Sequence, residues 1–138
     1  ALRRLGFEAT VSDNPDEINY YRLLTKRKGK DKRYVASFKS AFSDRLFNGE
    51  TIELGFTRGL SDLLDLTKDD LFSLSDTVSV KFCSLDKDHY EFWNTFQNEI
   101  LLSANPFSAS NARVKSNIRN GLGIWGGYAT SYHTVVAK

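Results

Sequence analysis

Methionine is absent from the 138-residue sequence, cysteine occurs once, and proline and histidine occur twice each. A single thiol, Cys83, can close no intrachain disulfide, so the fold does not depend on an oxidising compartment, nor is it barred from one. His89 and His133 lie far apart, and neither has a second His or Cys beside it at ligand spacing, which argues against a zinc-type centre. No apolar run approaches the roughly 20 residues that a membrane-spanning helix needs. The opening ALRRLGFEATVSD has neither an initiator Met nor the apolar core of a signal peptide. That start reads as a piece of something longer. Charge of one sign is scarce as well: 19 Lys+Arg against 17 Asp+Glu leave a net charge of +2. So small an excess makes no electrostatic case for nucleic acid, which needs a basic face or stripe.

What is present is apolar surface. Hydrophobic residues make up 41% of the chain and aromatics 13%, too much for a disordered chain and enough for one core. Residues 1–138 are therefore read as a single β-rich domain. Phe7, Ala9 and Val11 alternate within Leu5 to Val11, as in a strand. SDNPDE is a turn in which Pro15 fixes φ. INYYRLLTK and RYVASFKSAF flank the polar tip RKGKD and predict a β-hairpin. Asn48-Gly49 marks a tight turn. TIELGFTRG and TVSVKFCSLD alternate cleanly, each a half-buried strand. Between them, Thr67 with Asp70 resembles a weak capping box.

One helix is predicted, from about Lys87 to Ser103. Asp86 is its N-cap, and Asp88 adds negative charge to the first turn. His89, Trp93, Phe96 and Ile100 recur at three- and four-residue spacing, with Phe92 widening the stripe. ANPFSAS ends it, because the residue before Pro106 is pushed out of the α region.

GLGIWG, Gly121 to Gly126, matches G-x-G-x-x-G literally. A dinucleotide fingerprint places its glycines between a strand and the N-terminus of a helix. Here a helix and a polar connector precede them and strand-like residues follow. The glycines are better explained by a bent or bulged closing strand. No cofactor is expected.

Other features each have two readings. KRKGKDKR, with Lys26, Arg27, Lys28, Lys30, Lys32 and Arg33, is either a contact for anionic headgroups or an acidic partner, or a solvated hairpin tip. SDNPDE offers oxygens to calcium but lacks the spacing of a calcium loop. Cys83 has no identifiable base or oxyanion site beside it. Tyr20, Tyr21, Trp93, Trp125, Tyr128 and Tyr132 would line a sugar- or lipid-binding face, or else fill the core.

Three stretches carry a family resemblance: NPDEINYYRL, SDRLFNGE, and HYEFWNTF followed by NPF and VKSNIRNGLGIWGGY. Together they are similar to the domain of unknown function 4249 family, a group of Bacteroidota cell-envelope lipoproteins. Asn120 stands where that family usually has Gly, and Trp125 where Phe is common. The resemblance implies an outer-membrane-anchored lipoprotein, of a kind often thought of beside TonB-dependent transporters, of which this chain is the C-terminal portion. The lipoprotein signal and a β-rich, immunoglobulin-like N-terminal region would precede it. It supplies no catalytic residues. The expected fold is an antiparallel meander closed as a sandwich or barrel, with the helix packed on it. The expected function is a non-enzymatic binding module; the alternative is a hydrolase-type enzyme completed by N-terminal residues.

Overall fold

The computed structural model describes residues 4–5, 7–12, 15–58, 72–103 and 113–138. The alternating runs form β1 (Arg4–Leu5), β2 (Phe7–Ser12), β3 (Tyr20–Arg27), β4 (Val35–Ser43), β5 (Thr51–Phe56), β6 (Phe72–Ser73) and β7 (Thr77–Leu85). Helix α1 (Lys87–Ser103) and strand β8 (Ala129–Val136) complete the order. Strands β4, β3, β7 and β8 lie side by side in a four-stranded antiparallel sheet, while β2 pairs with β5 and β1 with β6. The fold is mainly β, and its sheets pack as in a sandwich, not as a closed barrel. The predicted turn at Thr67 and Asp70, Asp13-Asn14 of SDNPDE, and ANPFSAS lie outside the described residues.

Residues opposite one another in an antiparallel ladder share a face, and the register sorts the large sheet accordingly. Leu23 faces Phe82, Thr25 faces Val80, and Val78 faces Val135. On this side Leu23, Phe72, Val78, Val80 and Ala137 form the buried core, with Phe7, Phe42, Phe56, Phe82 and Val135 packed against it. Phe7 reaches across to Phe72 at 4.8 Å and Phe56 at 5.8 Å between ring centroids. The two small ribbons therefore cover this face. Each large side chain taken from water there contributes about 1.5–3 kcal/mol.

The opposite face carries the helix over one half only. The N-cap reading of Asp86 holds: its Oδ1 accepts the His89 backbone N–H at 2.7 Å, an interaction typically worth about 1 kcal/mol. Tyr90 stacks on Tyr20 at 4.9 Å, and the Arg22 guanidinium lies 3.5 Å from the centre of the Trp93 ring. His89 and Phe92 are buried, so the helical stripe faces the sheet. Burial draws the Arg22 guanidinium down to about 10, which leaves it protonated at neutral pH.

Two of the recognised stretches meet in this frame. The Asn19 N–H donates to Oδ2 of Asp44 at 2.7 Å, and Asp44 is fully buried. Gly49 sits at φ 78°, and a Cβ there would lie 2.7 Å from the Pro15 Cβ. Only glycine suits both the left-handed turn and that approach. These residues hold the turn before β3 against the turn after β4.

Candidate functional site

The glycine stretch is not the bent strand that its composition predicts. Residues 118–121 turn, 122–128 run irregularly, and β8 begins only at Ala129. Two side chains fix this loop from within. Oγ of Ser116 donates toward the Gly123 carbonyl at 2.7 Å and accepts the N–H groups of Gly123 at 3.1 Å and Ile118 at 3.2 Å. Asn117 acts as a backbone mimic: its Nδ2 donates to the Trp125 carbonyl at 2.6 Å, and its Oδ1 accepts the Trp125 N–H at 2.8 Å. Asn120 takes a left-handed φ of 60°, a conformation that Asn tolerates better than most residues. Two amides of the stretch, those of Gly123 and Trp125, are consumed by the loop itself, and a strand, not a helix, follows.

The loop is also docked on the helix. A Cβ at Gly126 would come within 3.1 Å of His89 Nδ1 and 3.2 Å of Asp86 Oδ2. Lys115 adds an ion pair to Glu91 at 3.1 Å, and its N–H bonds Oγ1 of Thr95 at 3.0 Å. Between them runs an open groove of about 740 Å³, with Asp88 and Glu91 on the helix side and Arg113 and Lys115 opposite. Its lining includes the exposed apolar side chains of Ile118, 44% accessible, and Leu122, 68%; Trp125, further along the loop, is 84% accessible.

Beyond the helix, the same sheet face is open. Lys26, Ser79, Lys81, Tyr132, Thr134 and Val136 share it by register. The Tyr34 side chain reaches across it, its hydroxyl 2.8 Å from Oγ of Ser79 and its ring 6.0 Å from that of Tyr132. Lys81 Nζ donates to the Tyr128 hydroxyl at 3.2 Å, a bond that holds its pKa above the ordinary lysine value. The same ammonium lies 5.0 Å from the Tyr128 ring centre and 5.9 Å from that of Tyr34; Lys26 is 5.9 Å from Tyr34. Tyr128 and Tyr132 are about half exposed. The expectation that Trp125, Tyr128 and Tyr132 fill the core is therefore wrong. Trp125 and Tyr128 lie in the loop before β8, and Tyr132 lies on edge strand β8, on the half of the helix-bearing face that the helix leaves open.

The basic tip divides. Arg27 binds Asp31 through its backbone N–H at 2.8 Å, Nε at 3.1 Å and Nη2 at 2.9 Å, and Arg58 approaches the same carboxylate at 3.4 Å. Lys30 pairs with the buried carboxylate of Asp76 at 2.5 Å. Lys26 lies on the open sheet face, while Lys28, Lys32 and Arg33 point to solvent. Composition alone does not reveal this division, because the acids that claim Lys30 and the Arg58 that shares Asp31 are remote in sequence.

Cys83 is buried in β7, and burial raises its thiol pKa, which disfavours the nucleophilic thiolate. His89 is buried beside Tyr128 with ring centres 5.5 Å apart, whereas His133 is exposed on β8. The two histidines are not brought together. Among the described residues no group of three or more His, Cys, Asp or Glu could hold a metal ion. None of the described helices is long and apolar enough to cross a membrane.

Fold and surface thus define a β-sandwich with one docked helix and a stapled, aromatic-tipped glycine loop. The chain belongs to the family described as a domain of unknown function (DUF4249), matched over residues 2–134. No curated protein and no solved structure matches it.

Proposed function

We propose that the chain is a non-enzymatic binding module of a cell-envelope lipoprotein, which docks on a protein partner through its glycine loop. One observation carries this reading: Trp125 and Leu122 stand 84% and 68% exposed on a backbone that Ser116 and Asn117 hold in place. An exposed tryptophan on a pre-set loop has little ordering entropy left to lose on binding, and tryptophan is the residue type most enriched at binding hot spots. The family resemblance supports an outer-membrane setting, with a TonB-dependent transporter as the partner.

The test is affinity purification of the full-length lipoprotein from detergent-solubilised outer membranes. A transporter should co-purify with the wild type and be lost with Trp125→Ala plus Leu122→Ala at unchanged melting temperature. Purification of the wild type without a transporter, or undiminished recovery by the double variant, refutes the reading.

A further inference from the structure

The open half of the sheet carries a second surface, separate from Trp125 and independent of the docking reading. Its cations are unusual in their company. Lys81 is held by the Tyr128 hydroxyl and by two aromatic rings, and Lys26 lies near Tyr34. Neither lysine has a carboxylate partner among the described residues. The residues that share their face by register, from Thr77, Ser79 and Thr130 to Tyr132, Thr134 and Val136, include no Asp or Glu. The face is therefore positive, hydroxyl-rich and set with half-exposed rings. Its natural complement is an anion that also brings flat C–H surfaces and hydroxyl groups.

We propose that this platform binds an anionic oligosaccharide, with a uronate carboxylate on Lys81 and sugar rings lying on Tyr132 and Tyr128. Three considerations select a sugar over other anions. A peptide laid across a sheet face finds no main-chain partners, because the β3–β7–β8 ladders already consume them, and unpaired amides are costly. A sugar brings hydroxyls that pair with the hydroxyls of Tyr34, Tyr128, Tyr132, Ser79 and Thr134. Its axial C–H groups also suit the electron-rich faces of tyrosine rings. Single-stranded nucleic acid would stack equally well, but its phosphates call for a groove of cations that tracks the backbone, and this face has two.

Titration calorimetry on the full chain tests the assignment, with α-1,4-tetragalacturonate and a hyaluronan tetrasaccharide as uronate probes. Maltotetraose, tetraglutamate and an octathymidylate serve as the neutral, peptide and nucleic-acid comparisons. At least one uronate probe should bind saturably, at least tenfold tighter than maltotetraose, tetraglutamate or octathymidylate. Lys81→Gln and Tyr132→Ala should each weaken it at least tenfold at unchanged melting temperature, whereas Lys81→Arg should largely preserve it. Trp125→Ala should leave it unchanged, which separates this surface from the docking loop. Absence of saturable binding by both uronate probes overturns the proposal. So does equal affinity for tetraglutamate or octathymidylate, or indifference to Lys81→Gln.

Discussion

Replacing Asp31 with alanine should cost the domain about 3 kcal/mol, more than its place in a lysine-rich hairpin tip suggests. Its side chain is 7% exposed, that of Arg58 8% and that of Arg27 18%. The carboxylate accepts three hydrogen bonds from Arg27 and one from Arg58. The Arg58 carbonyl in turn accepts from Oγ1 of the buried Thr25. Asp31 thus ties the β3–β4 tip to the segment after β5. Removing one partner of a buried ion pair typically costs 3–5 kcal/mol, because the other charge stays buried without it. The lower end applies here, since Arg27 keeps part of its guanidinium in water. Urea unfolding should show the midpoint falling while the m-value stays constant, the sign of lost stability without a change in exposed surface. Adding Arg27→Met to Asp31→Ala should recover part of the loss. A fall of less than 0.5 kcal/mol, the usual scale for surface changes, would mean that the cluster is solvated and the burial argument wrong.

Acid should weaken the fold through the same carboxylates. Burial alone would raise the Asp31 and Asp76 carboxyls. Hydrogen bonds from Arg27 to Asp31, and from Lys30 and the Ser73 N–H to Asp76, hold both below the ordinary value of 3.8. Folded-state depression gives stability that is complete above the unfolded value and is lost as pH falls through the folded ones. Unfolding free energy should therefore be nearly flat in these two groups above about pH 5 and decline below about pH 4. Asp31→Asn should flatten part of that decline, and an unchanged slope counts against the linkage. At the loop, Gly126→Ala places a methyl 3.1 Å from His89 Nδ1, whereas Gly127→Ala meets nothing within 4 Å. Amide exchange at Gly123 and Trp125 should accelerate in the first variant only, and equal exchange in both would show that the loop does not depend on its seat at the helix start.

What the sequence makes legible here is what is local. The helix can be read from Asp86 and from the spacing of His89, Trp93 and Phe96, because capping and periodicity act within one or two turns. The β3–β4 hairpin and the Asn48-Gly49 turn are local in the same sense. The irregularity inside β4 is not: the pairing slips between Arg22 and Leu24, with Lys39 at a φ of 51°, and the alternation of RYVASFKSAF gives no sign of it. Nor can composition say where the aromatic residues face. Tyr21 and Tyr132 both lie in alternating strands, but Tyr21 packs against Phe42 and Phe82 on the core face, whereas Tyr132 sits on the opposite face of edge strand β8, so one ring is buried and the other half exposed. The basic tip shows the same limit, because Lys30 finds its acid 46 residues away and Arg58 finds Asp31 at a distance of 27. The family-like stretches stand between these cases. Their Asp44, Gly49, Ser116 and Asn117 resemble a signature in sequence, and in the structure each holds a turn or loop at a particular approach. A signature built of such staples specifies a platform. Trp125 and Tyr132 stand among the aromatic candidates that the sequence offers, but only the assembled platform separates them from the buried Tyr21 and places Lys81 beside Tyr128 and Tyr34.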